Sequence, residues 1–208
     1  MRQKMQHLKQ YFIVNKKIYL FLVILFVIAI ISGSIFSITL NEVDNDLVTT
    51  YLENYLNLVK DKKIIFKESF INYFFSNSII NLIIWLLGFS VIGIPVIIFL
   101  FFYKCFIIGF ATSSIILRYK SKGIILGVAY VCPHHIISIL ILMMLSIYAL
   151  TLSINIIKAI LKRKEITFKE ITTRYSIILL LTFVINLLLG VYEAYLLPKI
   201  LFLILTLI

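Results

Sequence analysis

Apolar and polar residues fall along this chain in long blocks, not at the short spacing of a soluble helix or strand. A basic stretch, residues 1–17, gives way to the unbroken apolar run Ile18–Leu40. Residues 41–69 turn polar again, and further apolar runs cover Phe70–Ile92, Val96–Leu117 and Tyr175–Leu197. Gly93-Ile94-Pro95 makes a tight connection, Arg118–Lys122 a short basic loop and Lys158–Arg174 a basic segment. Between those last two lies the long apolar stretch Gly123–Ile157. A helix needs about 20 mostly apolar residues to cross a bilayer, so the pattern predicts an all-α, polytopic integral membrane protein. About five transmembrane helices form its single membrane domain.

Gly123–Ile157 organises the rest. Its 35 residues, at about 1.5 Å each, would reach roughly 52 Å as one helix, well past a hydrocarbon core of about 30 Å. Pro133 has no amide hydrogen for the turn before it and clashes with that turn, so the helix ends or kinks around Cys132. The carbonyl freed there needs a partner at membrane depth, and His134 and His135 stand next to it. Two readings stay open: a proline kink with satisfied neighbours, or a broken helix that builds a binding surface or polar cavity.

The first apolar run exceeds the roughly 7 to 15 residues of a signal-peptide core and has no A-x-A site after it, so an uncleaved span with a cytoplasmic amino terminus is expected. Its Ser32-Gly33-Ser34 reads as a helix-packing patch, and Gly109 likewise suits a close helix contact. In the polar segment, Leu47, Tyr51, Leu52, Tyr55, Leu58 and Val59 recur three and four apart. That is the mark of an amphipathic helix lying on the membrane or on a partner.

Composition narrows the class. Hydrophobic residues make up 62% of the chain, charged residues 14%, and the mean hydropathy is +1.09, which excludes a soluble domain. The 20 Lys and Arg against 9 acids, a formal charge of +11, belong with cytoplasmic loops and anionic lipid, not with nucleic acid. Five crossings place eleven basic residues on the cytoplasmic side and seven outside, although the Arg118–Lys122 loop then lies on the side that the positive-inside tendency disfavours. Cys105 and Cys132, with apolar neighbours and no CxxC spacing, read as small hydrophobes.

Chemistry-bearing side chains in the spans are few. Lys104 falls near the middle of its span, where its stem can snorkel, pair with Glu193 or serve as a functional cation. His134 and His135, as neighbours on a helix, diverge by about 100° and cannot both face one metal without an irregular backbone. HExxH, GxSxG, a paired carboxylate and a phosphate-binding glycine loop are all missing. A non-enzymatic protein without catalytic residues, metal or cofactor is expected.

The run Phe102-Tyr103-Lys104-Cys105-Phe106-Ile107-Ile108-Gly109-Phe110 is followed by Lys122-Gly123 and then by the proline-centred polar break Pro133-His134-His135. With the basic amino terminus, the polar loop before the second run and the basic segment before the last, this resembles the stage II sporulation protein M family over nearly the whole chain. Cys105 stands where glycine is usual in that family, and His134-His135 replaces a glutamine-asparagine or histidine-glycine pair.

The resemblance implies a multi-pass protein of the bacterial cell membrane, in the mother-cell membrane at the sporulation septum. It acts there in engulfment, anchoring an amidase-type and a lytic-transglycosylase-type peptidoglycan hydrolase. On that basis Tyr51, Tyr55 and Leu58 become candidate docking residues for those cell-wall hydrolases. The expected partners are thus the hydrolases and the lipid bilayer, with homo-oligomerisation left open and no nucleic acid. The alternative is a permease-like transporter subunit using the broken helix with Lys104 and Glu193.

Overall fold

The computed structural model describes residues 16–61, 65–131, 134–162 and 168–207. They form α1 (Lys16–Ile38), α2 (Glu42–Lys60), α3 (Phe66–Leu87), α4 (Gly93–Val131), α5 (His134–Lys162), α6 (Phe168–Val191), a π turn (Tyr192–Leu196) and α7 (Leu197–Leu207), with no strand among the described residues. Five helical stretches are long and apolar enough to cross a membrane, so the architecture is all-α and polytopic, in agreement with the block pattern. Helix ends do not coincide with the ends of the apolar runs, because polar residues such as Lys16 and Lys67 continue the helices beyond them.

α1 and α4 run side by side. A side chain on Gly33 would strike the carbonyl oxygen of Phe106, and one on Gly109 the carbonyl of Ile30, so the two backbones touch only because both residues lack a Cβ. Hydroxyls follow the same seam: Ser34 donates to the Gly109 carbonyl at 3.3 Å, and Ser37 and Ser114 share a hydrogen bond of 2.8 Å.

The short connection expected at Arg118–Lys122 is a tight turn centred on Lys120. Helical geometry continues through it except at Lys120, whose φ of 51° and ψ of −125° leave the helical region. There the chain reverses. In a straight helix Thr112 and Gly127 would stand about 22 Å apart, yet a Cβ on Gly127 would lie 3.4 Å from side-chain carbons of both Thr112 and Ile116. The return is close because Gly123, buried against Ile115 and Ile116, has no side chain to hold the two arms apart. Gly123–Val131 therefore runs back into the bundle and leads to α5.

The break assigned to Pro133, with Cys132, lies outside the described residues; α4 ends at Val131 and α5 begins at His134. α5 runs alongside α3 in the same direction, with Ser138 opposite Asn77 and the Ser153 hydroxyl donating to the Gly88 carbonyl at 2.9 Å. The return arm of α4 and α5 thus make one crossing in two pieces. α5 is the hub: 67% of its most apolar stretch is buried, against 17–28% in the other four spans. The core around it joins Leu22, Ile84, Phe101, Leu145 and Leu152.

α6 returns antiparallel to α3. Near its start the Tyr175 hydroxyl donates to the carbonyls of Ile84 and Trp85 at 3.0 and 3.1 Å, and near its end Gly190 lies against Phe70 and Tyr73. The last span was expected to stop at Pro198, yet helix continues to Leu207. The π turn just before the proline widens the backbone and places its missing N–H in the first turn of α7, where the loss costs least.

α2 lies across the end of the bundle where α1 finishes. Asn41 starts it, its side chain accepting the Asp44 amide at 2.8 Å, with Glu42 and Asp44 in the first turn and Lys60 in the last to suit the helix dipole. Its inner face, with Leu52, Tyr55 and Val59, packs on Ile115, Leu126, Leu197 and Leu201. Of the apolar face read as lying on the membrane or a partner, Leu52, Tyr55 and Val59 are covered by the chain itself, whereas Leu47, Tyr51 and Leu58 stay exposed.

Candidate functional site

The first described residues of α5 and the π turn meet inside the bundle. His134 is the first residue of α5 and fully buried, and Glu193 sits in the π turn. His134 Nε2 stands 2.6 Å from Glu193 Oε2. Neither atom has an aligned hydrogen bond, so the contact is a close electrostatic approach and not a linear N–H···O bond. Pairing with Lys104 was one of the readings left open for Glu193; the ion-pair contact goes to His134, with the π turn aiming the carboxylate at the start of α5.

Aromatic rings enclose the pair. Tyr73 from α3, Tyr130 from α4 and Tyr192 from the π turn have ring centroids 5.8, 6.1 and 5.7 Å from that of His134. His135 does not diverge from His134 as neighbours within a helix would. Their centroids are 4.0 Å apart, and Tyr130 lies edge-on to His135 at 4.9 Å. Among the described residues no group of three or more His, Cys, Asp or Glu is placed to hold a metal ion.

Lys104 is half-buried on α4, one residue from the buried Cys105, and within electrostatic reach of Glu193 and His135. Gly109 lies elsewhere, at the α1 seam. Of the residues singled out in the sequence, the fold brings His134, His135, Glu193 and Lys104 into one neighbourhood. It adds Tyr73, Tyr130 and Tyr192, which sequence reasoning missed. A signal existed for one of them: Tyr130 stands four residues before His134 in the sequence.

Between α2 and the bundle lies a cavity of about 210 Å³, lined by Tyr51, Tyr55, Ile115, Leu126, Tyr130 and Glu193 among others. Its walls are mostly apolar, and among the described residues Glu193 is the one acid lining it. Burial first, and the Glu193 charge second, push the Tyr55 hydroxyl above the usual phenol range, so Tyr55 stays neutral.

The family model for stage II sporulation protein M matches residues 22–198, most of the chain. The chain belongs to the stage II sporulation protein M family. Comparison with curated proteins and with solved structures gives no match. Membership makes it a sporulation-related, multi-pass membrane protein, and the match takes in α2, Lys104, both histidines and Glu193.

In this member of the stage II sporulation protein M family the three docking candidates lie within about 60° of one another around α2 but differ in exposure. Tyr51 is 76% and Leu58 45% exposed, whereas Tyr55, at the edge next to Val59, packs on the bundle. Tyr51 and Tyr55 both line the cavity.

Proposed function

We propose that this chain is a non-enzymatic scaffold of sporulation engulfment, holding amidase-type and lytic-transglycosylase-type peptidoglycan hydrolases at the septal membrane. One observation carries the reading: α2 has a second apolar stripe. With its inner face spent on the bundle, Val43, Leu47, Tyr51 and Leu58 remain exposed and project within about 80° of one another around the helix. Exposed carboxylates of Glu42, Asp44 and Asp46 border the stripe. A soluble partner that lays an apolar groove over it, with basic groups at the rim, gains the contact of a helix-in-groove interface. Support for the identity of that partner comes from family membership.

The test is capture of the amidase partner by the full-length chain in detergent. Leu47→Asp and Tyr51→Asp should abolish capture, and Tyr55→Phe should leave it unchanged. Equal capture by all three variants would remove the proposal.

The alternative of a permease-like subunit draws on a different observation, the gathering of Lys104, His134 and Glu193 beside the π turn in membrane helix. Under that reading Lys104→Met abolishes solute flux into proteoliposomes; under the scaffold reading there is no flux to abolish.

A further inference from the structure

The cavity beneath α2 lies beside the exposed stripe, with Tyr51 bordering both, and differs from it in chemistry. Its walls are the rings of Tyr51, Tyr55 and Tyr130, aliphatic side chains such as Leu126 and Leu201, and the carboxylate of Glu193. Aromatic faces attract cations through the ring quadrupole, by more when the cation leaves water, and an aromatic enclosure is how ammonium groups are held. A carboxylate beside the rings supplies the opposite charge. We propose that this cavity binds an alkylammonium group, with its cationic head between the tyrosine rings and Glu193 and its hydrocarbon against the aliphatic wall.

Size agrees with this. At about 210 Å³ the cavity exceeds the roughly 150 Å³ that accepts a benzene ring in an engineered protein core, so a four-carbon amine or a tetramethylated ammonium fits. An anion is disfavoured, because it would meet Glu193 head on. A neutral apolar ligand would leave that carboxylate facing it without a new partner.

Two nitrogen-bearing side chains lie near the same carboxylate. His134 approaches Oε2, and Lys104 acts on Glu193 from α4, yet neither lines the cavity. They set the sign of a diagnostic effect. Removing the Lys104 charge strengthens the field that Glu193 offers a cation, so Lys104→Met should tighten binding while Glu193→Gln weakens it. A purely steric role for Lys104 would give no such opposition.

Both a phosphatidylethanolamine headgroup and a free small amine carry this chemistry. The experiment uses the full chain in nanodiscs of phosphatidylglycerol alone, titrated calorimetrically with butylammonium, tetramethylammonium and, as the neutral match, n-butanol. Butylammonium is expected to bind at least tenfold more tightly than n-butanol. Glu193→Gln should erase that preference, Tyr55→Leu should weaken butylammonium several-fold, and Lys104→Met should tighten it several-fold.

Equal affinity for butylammonium and n-butanol in the unaltered chain would overturn the proposal, as would an unchanged preference in a folded Glu193→Gln variant. Should Glu193→Gln not fold, the butanol comparison and Tyr55→Leu still decide. Discs that include phosphatidylethanolamine then separate the sources: a weaker apparent affinity for butylammonium identifies the lipid headgroup as occupant, and an unchanged one identifies a free amine.

Discussion

His134 and Glu193 tie the start of α5 to the π turn between α6 and α7, with Nε2 and Oε2 2.6 Å apart inside a ring of tyrosines. His134 is fully buried there, and Lys104 acts on the same carboxylate from α4. Removing Glu193 takes its partner from both, and breaking a buried pair costs about 3 to 5 kcal/mol. Glu193→Ala should therefore lower stability by about 3 kcal/mol, while the double variant His134→Phe with Glu193→Leu should recover part of that loss. Denaturant unfolding of the detergent-solubilised chain measures both.

The α1 and α4 seam makes a second prediction. Gly33→Ala and Gly109→Ala put a methyl into backbone atoms of the facing helix, and overpacking of this kind costs about 1 to 3 kcal/mol. Gly127→Ala meets only side-chain carbons at 3.4 Å and brings alanine's better helix propensity of about 1 kcal/mol. It should be neutral or stabilising. Thermal unfolding of the three variants side by side checks the ranking, and a Gly127→Ala penalty as large as that of Gly33→Ala would mean the return arm packs more tightly than described.

Tyr175 is a third case. Its buried hydroxyl serves two α3 carbonyls just before Gly88. Tyr175→Phe keeps the ring contact with Trp85 and should cost about 1 kcal/mol; Tyr175→Leu also loses the aromatic packing and should cost clearly more. A loss confined to Leu would show that the hydroxyl contributes little.

Arg118 and Glu53 form an ion pair between the reversal and α2, with both side chains nearly half exposed. Water and salt screen such a pair. Arg118→Ala should leave the unfolding midpoint unchanged at physiological salt, and any effect should appear only at low ionic strength. A salt-independent loss would mean that the reversal depends on this contact.

Pro133→Ala addresses the break itself. By restoring an amide hydrogen and removing the ring clash, it favours a straighter path between the return arm of α4 and α5, which would draw His134 away from Glu193. Spore-forming activity should fall more for this variant than for Cys105→Ala, which only trims packing in the core. Equal and mild defects would show that the bend does not need the proline.

Much of this molecule could be read directly from residue order. Block hydropathy determined a multi-pass helical protein with five spans, because a bilayer permits few other ways to satisfy the backbone of so apolar a chain. Length alone showed that Gly123–Ile157 could not be one straight span, and motif order carried the family. Local rules also marked Gly109 and Lys104, but a glycine does not name the helix that approaches it and a charge does not name its partner.

Only the tertiary structure decided those matters. It gave Glu193 to His134, brought the two histidine rings together, turned Tyr55 inward and ran helix through Pro198. Each depends on residues far apart in the chain, or on a backbone irregularity that periodicity averages away. Hydropathy reports which segments leave water; which faces then meet is settled by close packing and by the need of each buried polar group for a partner.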